Sequence, residues 1–170
     1  MVRSGWYLGG EILKVIARQI EPMTSPVVRH AWTQLDIPIR EWDSWYDPTD
    51  YAGGTREHFE DSRNRWAEIM QENNPEPVRV HALRVGDAAI CTNPAELYVE
   101  FGLAIKERSP ARVTLISELS DGYCGYVPIP ESIRHGGYSA ASSSNTRLVP
   151  EAGWMIVEET GRLLDTIFAV

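Results

Sequence analysis

The residues of this chain with the most chemistry to offer are one carboxylate and a run of phenols. Glu96 stands in "CTNPAELYVE", and Tyr123, Tyr126 and Tyr138 follow in "SDGYCGYVPIPESIRHGGYSAASSS", residues 120–144. A carboxylate with phenolic oxygens is a hard donor set. It can ligate a metal ion, and a phenol O–H can hydrogen-bond a developing oxyanion. Gly122, Gly125, Gly136 and Gly137 are interleaved with the tyrosines, and a backbone without Cβ can approach a ligand closely. A structural account competes with this one: the tyrosines pack as loop anchors with their hydroxyls at the surface.

Glu96 has a structural account as well. Asn93 as N-cap, Pro94 at the first helical position and Glu96 at the third read as a capping arrangement opening a helix over 94–106. There the carboxylate would meet the positive end of the helix dipole. Its place directly after a strand is also where α/β folds put catalytic loops.

The remaining reactive side chains fit fewer patterns. His30, His58, His81 and His135 show no HxH or HExxH spacing. His30 and His81 fall on strands and read as core or interface residues, which leaves His135 in the loop as the histidine with a catalytic reading. Ser139 and Ser142 to Ser144 form no GxSxG elbow. "GWYLGG" precedes a helix without following a strand, so it is no dinucleotide fingerprint. Cys91 and Cys124 lack CxxC spacing and can be either a disulfide or buried thiols. Trp42, Trp45 and Tyr46 form an aromatic cluster that suits either a partner patch or a loop packed over the core.

These residues need elements to position them. Leu8, Ile12, Val15, Ile16 and Ile20 give a half-buried helix from Gly9 to Ile20, stopped by Pro22 and Pro26. Residues 27–39 alternate as a strand, 41–56 read as a loop, and Phe59, Trp66, Ile69 and Met70 mark a helix running to about Gln71. "NNPEP" breaks that helix. A hairpin over 78–93 turns at Gly86-Asp87, the helix over 94–106 follows, and "ARVTLISEL" (111–119) reads as a buried strand. After the tyrosine loop, Pro150 opens a last helix whose face carries Ile156, Thr160, Leu163, Leu164 and Ile167. The order is helix, strand, helix, hairpin, helix, strand, loop, helix. It implies a mixed α/β (α+β) fold, with one mixed sheet and about four helices in a single domain over 1–170.

Composition closes off other classes. With 43% hydrophobic and 24% charged residues the chain is neither disordered nor fibrous, and its net charge of −8 argues against a nucleic-acid or anionic-membrane surface. No apolar run approaches the ~20 residues of a bilayer span, and the charged, amphipathic N-terminal segment is not a signal peptide.

"HALRVGDAAICTNPAELYVEFGLAIKERSP" followed by "LISELSDGYCGYVPIPESIRHGGYSAASS" resembles the C-terminal part of the catalytic domain of the neutral/alkaline (non-lysosomal) ceramidase family, its bacterial members above all. That family's pattern runs strand, glycine-aspartate turn, strand, "PGE" helix, strand, "NGYxGYxPxxExxxxGGYE". The likeness is strongest over 76–168. Ala95 stands at the motif's glycine, and Asp121 where asparagine is common.

The resemblance implies a zinc amidase, in which two histidines, one glutamate and one tyrosine hold the metal and a second tyrosine stabilises the oxyanion. Carried over, Glu96 and Tyr126 fall on the metal ligands and Tyr138 on the catalytic oxyanion tyrosine. The family's metal histidines, its base-like histidine and its anion-binding arginine have no counterpart here. A catalytic zinc site needs three or more protein ligands, so this chain alone is expected to lack a competent zinc centre. Helical periodicity beginning within eight residues of Met1 fits a truncated frame or the smaller piece of a split enzyme. The expected partners are therefore a missing N-terminal half or further copies of the chain, with a lipid amide or other small amide as substrate when complete. A different class stays open: a binding or assembly module, oligomeric, that keeps the fold without the chemistry.

Overall fold

In the computed structural model, residues 2–19, 26–42 and 55–169 are described. Helix α1 (Val2–Gln19) is followed by strand β1 (Val28–Ile37), helix α2 (Arg56–Glu72) and strands β2 (Glu76–Val85), β3 (Ala88–Thr92) and β4 (Ala95–Leu97). Helix α3 (Val99–Arg108), strands β5 (Val113–Ser117) and β6 (Gly125–Val127), and helices α4 (Pro130–His135) and α5 (Ala152–Phe168) complete it. A four-stranded sheet runs β1-β2-β3-β5, antiparallel except for the β3–β5 pair, and β4 and β6 form a separate parallel pair. The fold is mixed α/β.

The expected hairpin is present. Its two-residue turn closes at Gly86, whose φ of 63° suits a residue without Cβ. Alternation along β2 sends Val78, Val80 and Ala82 inward, where they meet Ala89, Cys91 and Ile37. Helices α5 and α3 cover that inner face with Ile156, Leu163, Leu164 and Ile167 from one and Phe101 and Ile105 from the other. The last helix thus buries the face its periodicity announced.

Several expectations are corrected. Residues 94–106 do not form one helix. The Asn93 side chain accepts the Ala95 N–H at 3.0 Å, and the carbonyls of Asn93, Pro94 and Ala95 accept from Ser120, Cys124 and Leu119. Those carbonyls are no longer available to a helical ladder, so β4 forms instead, and α3 begins after Tyr98 with Glu100 as its first-turn acid. β5 lies at the sheet edge, and its residues alternate between exposed and half-buried, so it is not a buried strand. The first helix starts before Gly9 and is exposed, not half-buried, from Arg3 to Arg18 except at Gly9. The tyrosine stretch is not all loop, because β6 and α4 lie within it. Trp45 and Tyr46, Ile20 and Pro22 lie outside the described residues, whereas Trp42 packs edge-on against Phe59 and Trp66.

Packing between α3 and α5 yields a stability prediction. A Cβ placed on Gly153 would come within 2.2 Å of the ring of fully buried Phe101. Helix propensity favours alanine there by about 1 kcal/mol, but overpacking a rigid ring costs more, so sterics win. Gly153→Ala is expected to destabilise the fold by about 2 kcal/mol, lowering Tm by roughly 4–8 °C. A calorimetric Tm at or above that of the parent would contradict this packing.

Candidate functional site: one carboxylate and three tyrosines

The parallel pair β4–β6 decides where the candidate residues sit. Its register sets Ala95 beside Gly125, Glu96 beside Tyr126, and Leu97 beside Val127. Residues in register share a face, and successive residues alternate. Ala95, Leu97 and Val127 are buried in the core, so Glu96 and Tyr126 turn together to the opposite side, each half-buried. Tyr123 Oη donates to Glu96 Oε1 at 3.2 Å. The rings of Tyr126 and Tyr138 meet edge to face, with centroids 5.9 Å apart. Four side chains from two segments of sequence thus form one cluster. Tyr123, for which the sequence leaves a loop-anchor and a polar-site reading both open, is a half-exposed donor to Glu96.

Charge at Glu96 governs its neighbours. The Tyr126 phenol is pushed up to about 12, chiefly because it donates a hydrogen bond to the Glu96 carboxylate, with burial adding to the effect. Tyr123 moves the same way, first through burial and then through Glu96. Glu118 is raised by burial, with repulsion from Glu96 contributing. Burial also pushes the Cys91 and Cys124 thiols up to about 12; both cysteines are free and inert as nucleophiles.

The loop is held at several points. Asp121 takes a left-handed φ of 57° and accepts from Arg79 and from His81 Nε2, both at 3.0 Å. The His81 hydrogen bond is the main reason its carboxyl lies below the usual range. Gly125 passes so close to Asn145 that a Cβ would lie 2.2 Å from its carbonyl oxygen, and Tyr126 N donates to that oxygen at 2.6 Å. Arg147, 5% exposed, makes a bidentate ion pair with Glu76, itself 7% exposed. The same guanidinium donates to the carbonyls of Ser144 at 2.6 Å and Tyr123 at 3.3 Å. Tyr98 Oη and Ser139 Oγ, 2.7 Å apart, tie the start of α3 to the residue after Tyr138.

Tyr126 and Tyr138 face a cavity of about 460 Å³ whose far wall is α2, through His58, Ser62 and Arg65, with Ser142 to Ser144 along one side. Ser62 Oγ accepts the Ser144 N–H at 3.0 Å and joins the two walls. His58 is the residue that sequence reasoning missed. The signal was a polar stripe on α2 at Thr55, His58, Ser62 and Arg65, the spacing of one helical face. His135 ends α4, exposed, and does not line this cavity. Of the two readings of His30 and His81, core or interface, the core one fails: they stack on the outer face of the sheet, His30 Nε2 lying 3.1 Å from His81 Nδ1.

The cluster was tested against a zinc site by its donor chemistry. It offers a carboxylate and neutral phenols. Among the described residues no group of three or more His, Cys, Asp and Glu side chains could hold a metal ion. A zinc centre needs three or four ligands, most often nitrogen or sulfur, so the residues present do not make one by themselves.

Two measurements follow. Replacing Glu96 by Gln removes the anion that raises both the Tyr126 and the Tyr123 phenols, so an ultraviolet alkaline titration is expected to show tyrosine ionisation, that of Tyr126 above all, at lower pH than in the parent. An unchanged titration curve would contradict the contact. Arg147→Ala strands the Glu76 charge in the interior and is expected to cost roughly 3–5 kcal/mol. The double variant Glu76→Leu/Arg147→Met, with both charges gone, should cost less. Denaturant unfolding that ranks the double variant below Arg147→Ala would contradict the pairing.

Comparison with protein families found no match to this chain, and comparison with characterised proteins found none. Solved structures do match. A structure described as a ceramidase complexed with C2 superposes with a TM-score of 0.58 and 12% identity, covering 89% of this chain and 32% of its own. The neutral ceramidase from Pseudomonas aeruginosa gives a TM-score of 0.57 and 15% identity, covering 91% of this chain and 30% of its own. The chain spans about a third of the length of these ceramidases, and it shares with that third a ceramidase-like fold.

Proposed function

We propose that this chain is the tyrosine-bearing portion of a ceramidase-like amide hydrolase. In this reading Glu96 and Tyr126 lie on the metal side of the site and Tyr138 donates to the oxyanion. The observation that carries the reading is the Glu96–Tyr126 register, with Tyr123 on the same carboxylate and Tyr138 against the Tyr126 ring, Tyr126 and Tyr138 lining one cavity.

The chemistry of these side chains supports the division of roles. Amide hydrolysis concentrates negative charge on the carbonyl oxygen, and an accessible phenol O–H can stabilise it. Tyr138 is 75% exposed and lines the cavity. Glu96 accepts hydrogen bonds from phenols that it keeps protonated, so it both orients them and preserves their donor hydrogens. A phenol must lose a proton to ligate zinc, and its ordinary pKa near 10 already opposes that at neutral pH. Among the described residues the site is therefore partial, and in this reading the remaining donors come from elsewhere. The substrate class is a linear amide, a lipid amide among them.

Zinc titration of the purified chain against a competing chromophoric chelator, paired with hydrolysis of an N-acyl amide, tests this. Weak zinc binding that falls about tenfold or more in Glu96→Ala is expected, as for loss of a ligand or its close support, with no hydrolysis by the chain alone. Zinc affinity indifferent to both Glu96→Ala and Tyr126→Phe would overturn the metal-side assignment. Hydrolysis by the chain alone would overturn the partial-site reading, and if it were unchanged in Tyr138→Phe it would overturn the oxyanion role as well.

A further inference from the structure

Among the described residues, two apolar faces have nothing packed on them. The first is on α1. At 100° per residue, Trp6, Leu8, Ile12, Leu13, Val15 and Ile16 fall on one broad arc, and Arg3, Glu11, Lys14 and Arg18 on the opposite one. The apolar side chains are 45–78% exposed. A helix segregated in this way draws its stability from burying the stripe against something.

The second face is the outer side of the four-stranded sheet. Strand register aligns Val28, Val85, Ala88 and Val113 in one row and His30, Leu83, Ile90 and Leu115 in the next, with Trp32 beside His81 in the third. Val28, Trp32, Val113 and Leu115 are 52–64% exposed. The inner face has α3 and α5 upon it; among the described residues the outer face carries the same kind of side chains with no such cover.

We propose that a second copy of this chain closes both faces. Each copy lays α1 on the outer sheet face of its partner, about a two-fold axis. Such a contact is reciprocal, so one symmetry operation buries all four apolar faces of the pair and leaves no open end. Charge agrees with it. α1 carries three cations and one acid, a surplus of two, in a chain of net charge −8, which leaves −10 on the remainder. The α1 cations lie on the arc turned away from the sheet, so they steer the helix toward an acidic body rather than hold the contact itself. An anionic bilayer would take up α1 but repel that body, and would leave the sheet face bare. The exposed portions of these side chains amount to on the order of 1,000 Å² per partner, above the ~800 Å² per partner of a standard stable interface. The interface would reach the candidate site as well, since Trp32 stacks on His81, and His81 holds Asp121 at the start of the tyrosine loop. The inference does not rest on the proposed amide chemistry.

Sedimentation of the full chain over a concentration series tests it. The parent is expected at twice the monomer mass. Ile12→Asp on α1 and Leu115→Lys on the sheet are each expected to weaken dimerisation roughly 100-fold or more, as for central interface residues. Reciprocity makes a sharper demand. An equimolar mixture of the two variants retains one intact contact, the unaltered α1 of one on the unaltered sheet of the other, so it should form a heterodimer that neither variant forms as a homodimer. Complementation of this kind also shows that both variants are folded. A monomeric parent, a dimer indifferent to both substitutions, variants that do not complement, or α1-dependent flotation with anionic vesicles in place of dimerisation would each overturn the proposal.

Discussion

The buried ion pair between Glu76 and Arg147 is the constraint on which the rest of the site depends. It joins the first residue of β2 to a segment 71 positions later in sequence. Two charges in a dry interior are tolerated only when each is fully engaged. Arg147 meets that condition by spending its remaining donors on the carbonyls of Ser144 and Tyr123. One guanidinium thereby fixes the sheet, the serine segment and the tyrosine loop against one another. Other contacts refine this arrangement: Asn145 against Gly125, Asp121 against His81, and Tyr98 against Ser139.

With the loop held in this way, a short sheet suffices to assemble the chemistry. β4 and β6 contribute three residues each, and one pair in their register brings a carboxylate next to a phenol. Their buried neighbours anchor both strands in the core, so Glu96 and Tyr126 are presented by rigid backbone in spite of lying in segments rich in turns. The cost is electrostatic. A carboxylate facing several phenols holds their protons tightly, and that favours hydrogen-bond donation over metal ligation until further cationic charge arrives. In the proposed reading, a site with this balance receives further donors from elsewhere.

Much of the frame was legible in the sequence, because periodic burial writes it there. The hairpin at Gly86-Asp87, the face of α5 and the extent of α2 follow from spacing alone. Glu96 shows where local reasoning fails. Asn-Pro-Ala-Glu has every mark of a helix start, yet the carbonyls that would support the helix are taken by Leu119, Ser120 and Cys124, more than twenty residues downstream. Tertiary hydrogen bonds override a capping preference worth about 1 kcal/mol. The role of His58 was hidden for a related reason: a polar helix stripe reads as solvent-facing unless the opposite wall of the cavity is known. The choice between core and interface for His30 and His81 was not legible, because alternation along a strand does not say which face is covered.

The account turns on the strand at 95–97, and solution NMR of the isotopically labelled chain tests it directly. Extended-backbone chemical shifts for Ala95 to Leu97, with cross-strand contacts between Glu96 and Tyr126, are the predicted result. Helical shifts continuous from Pro94 into α3, with no contact between Glu96 and Tyr126, would contradict it, because the carboxylate would then cap a helix and no candidate site would exist.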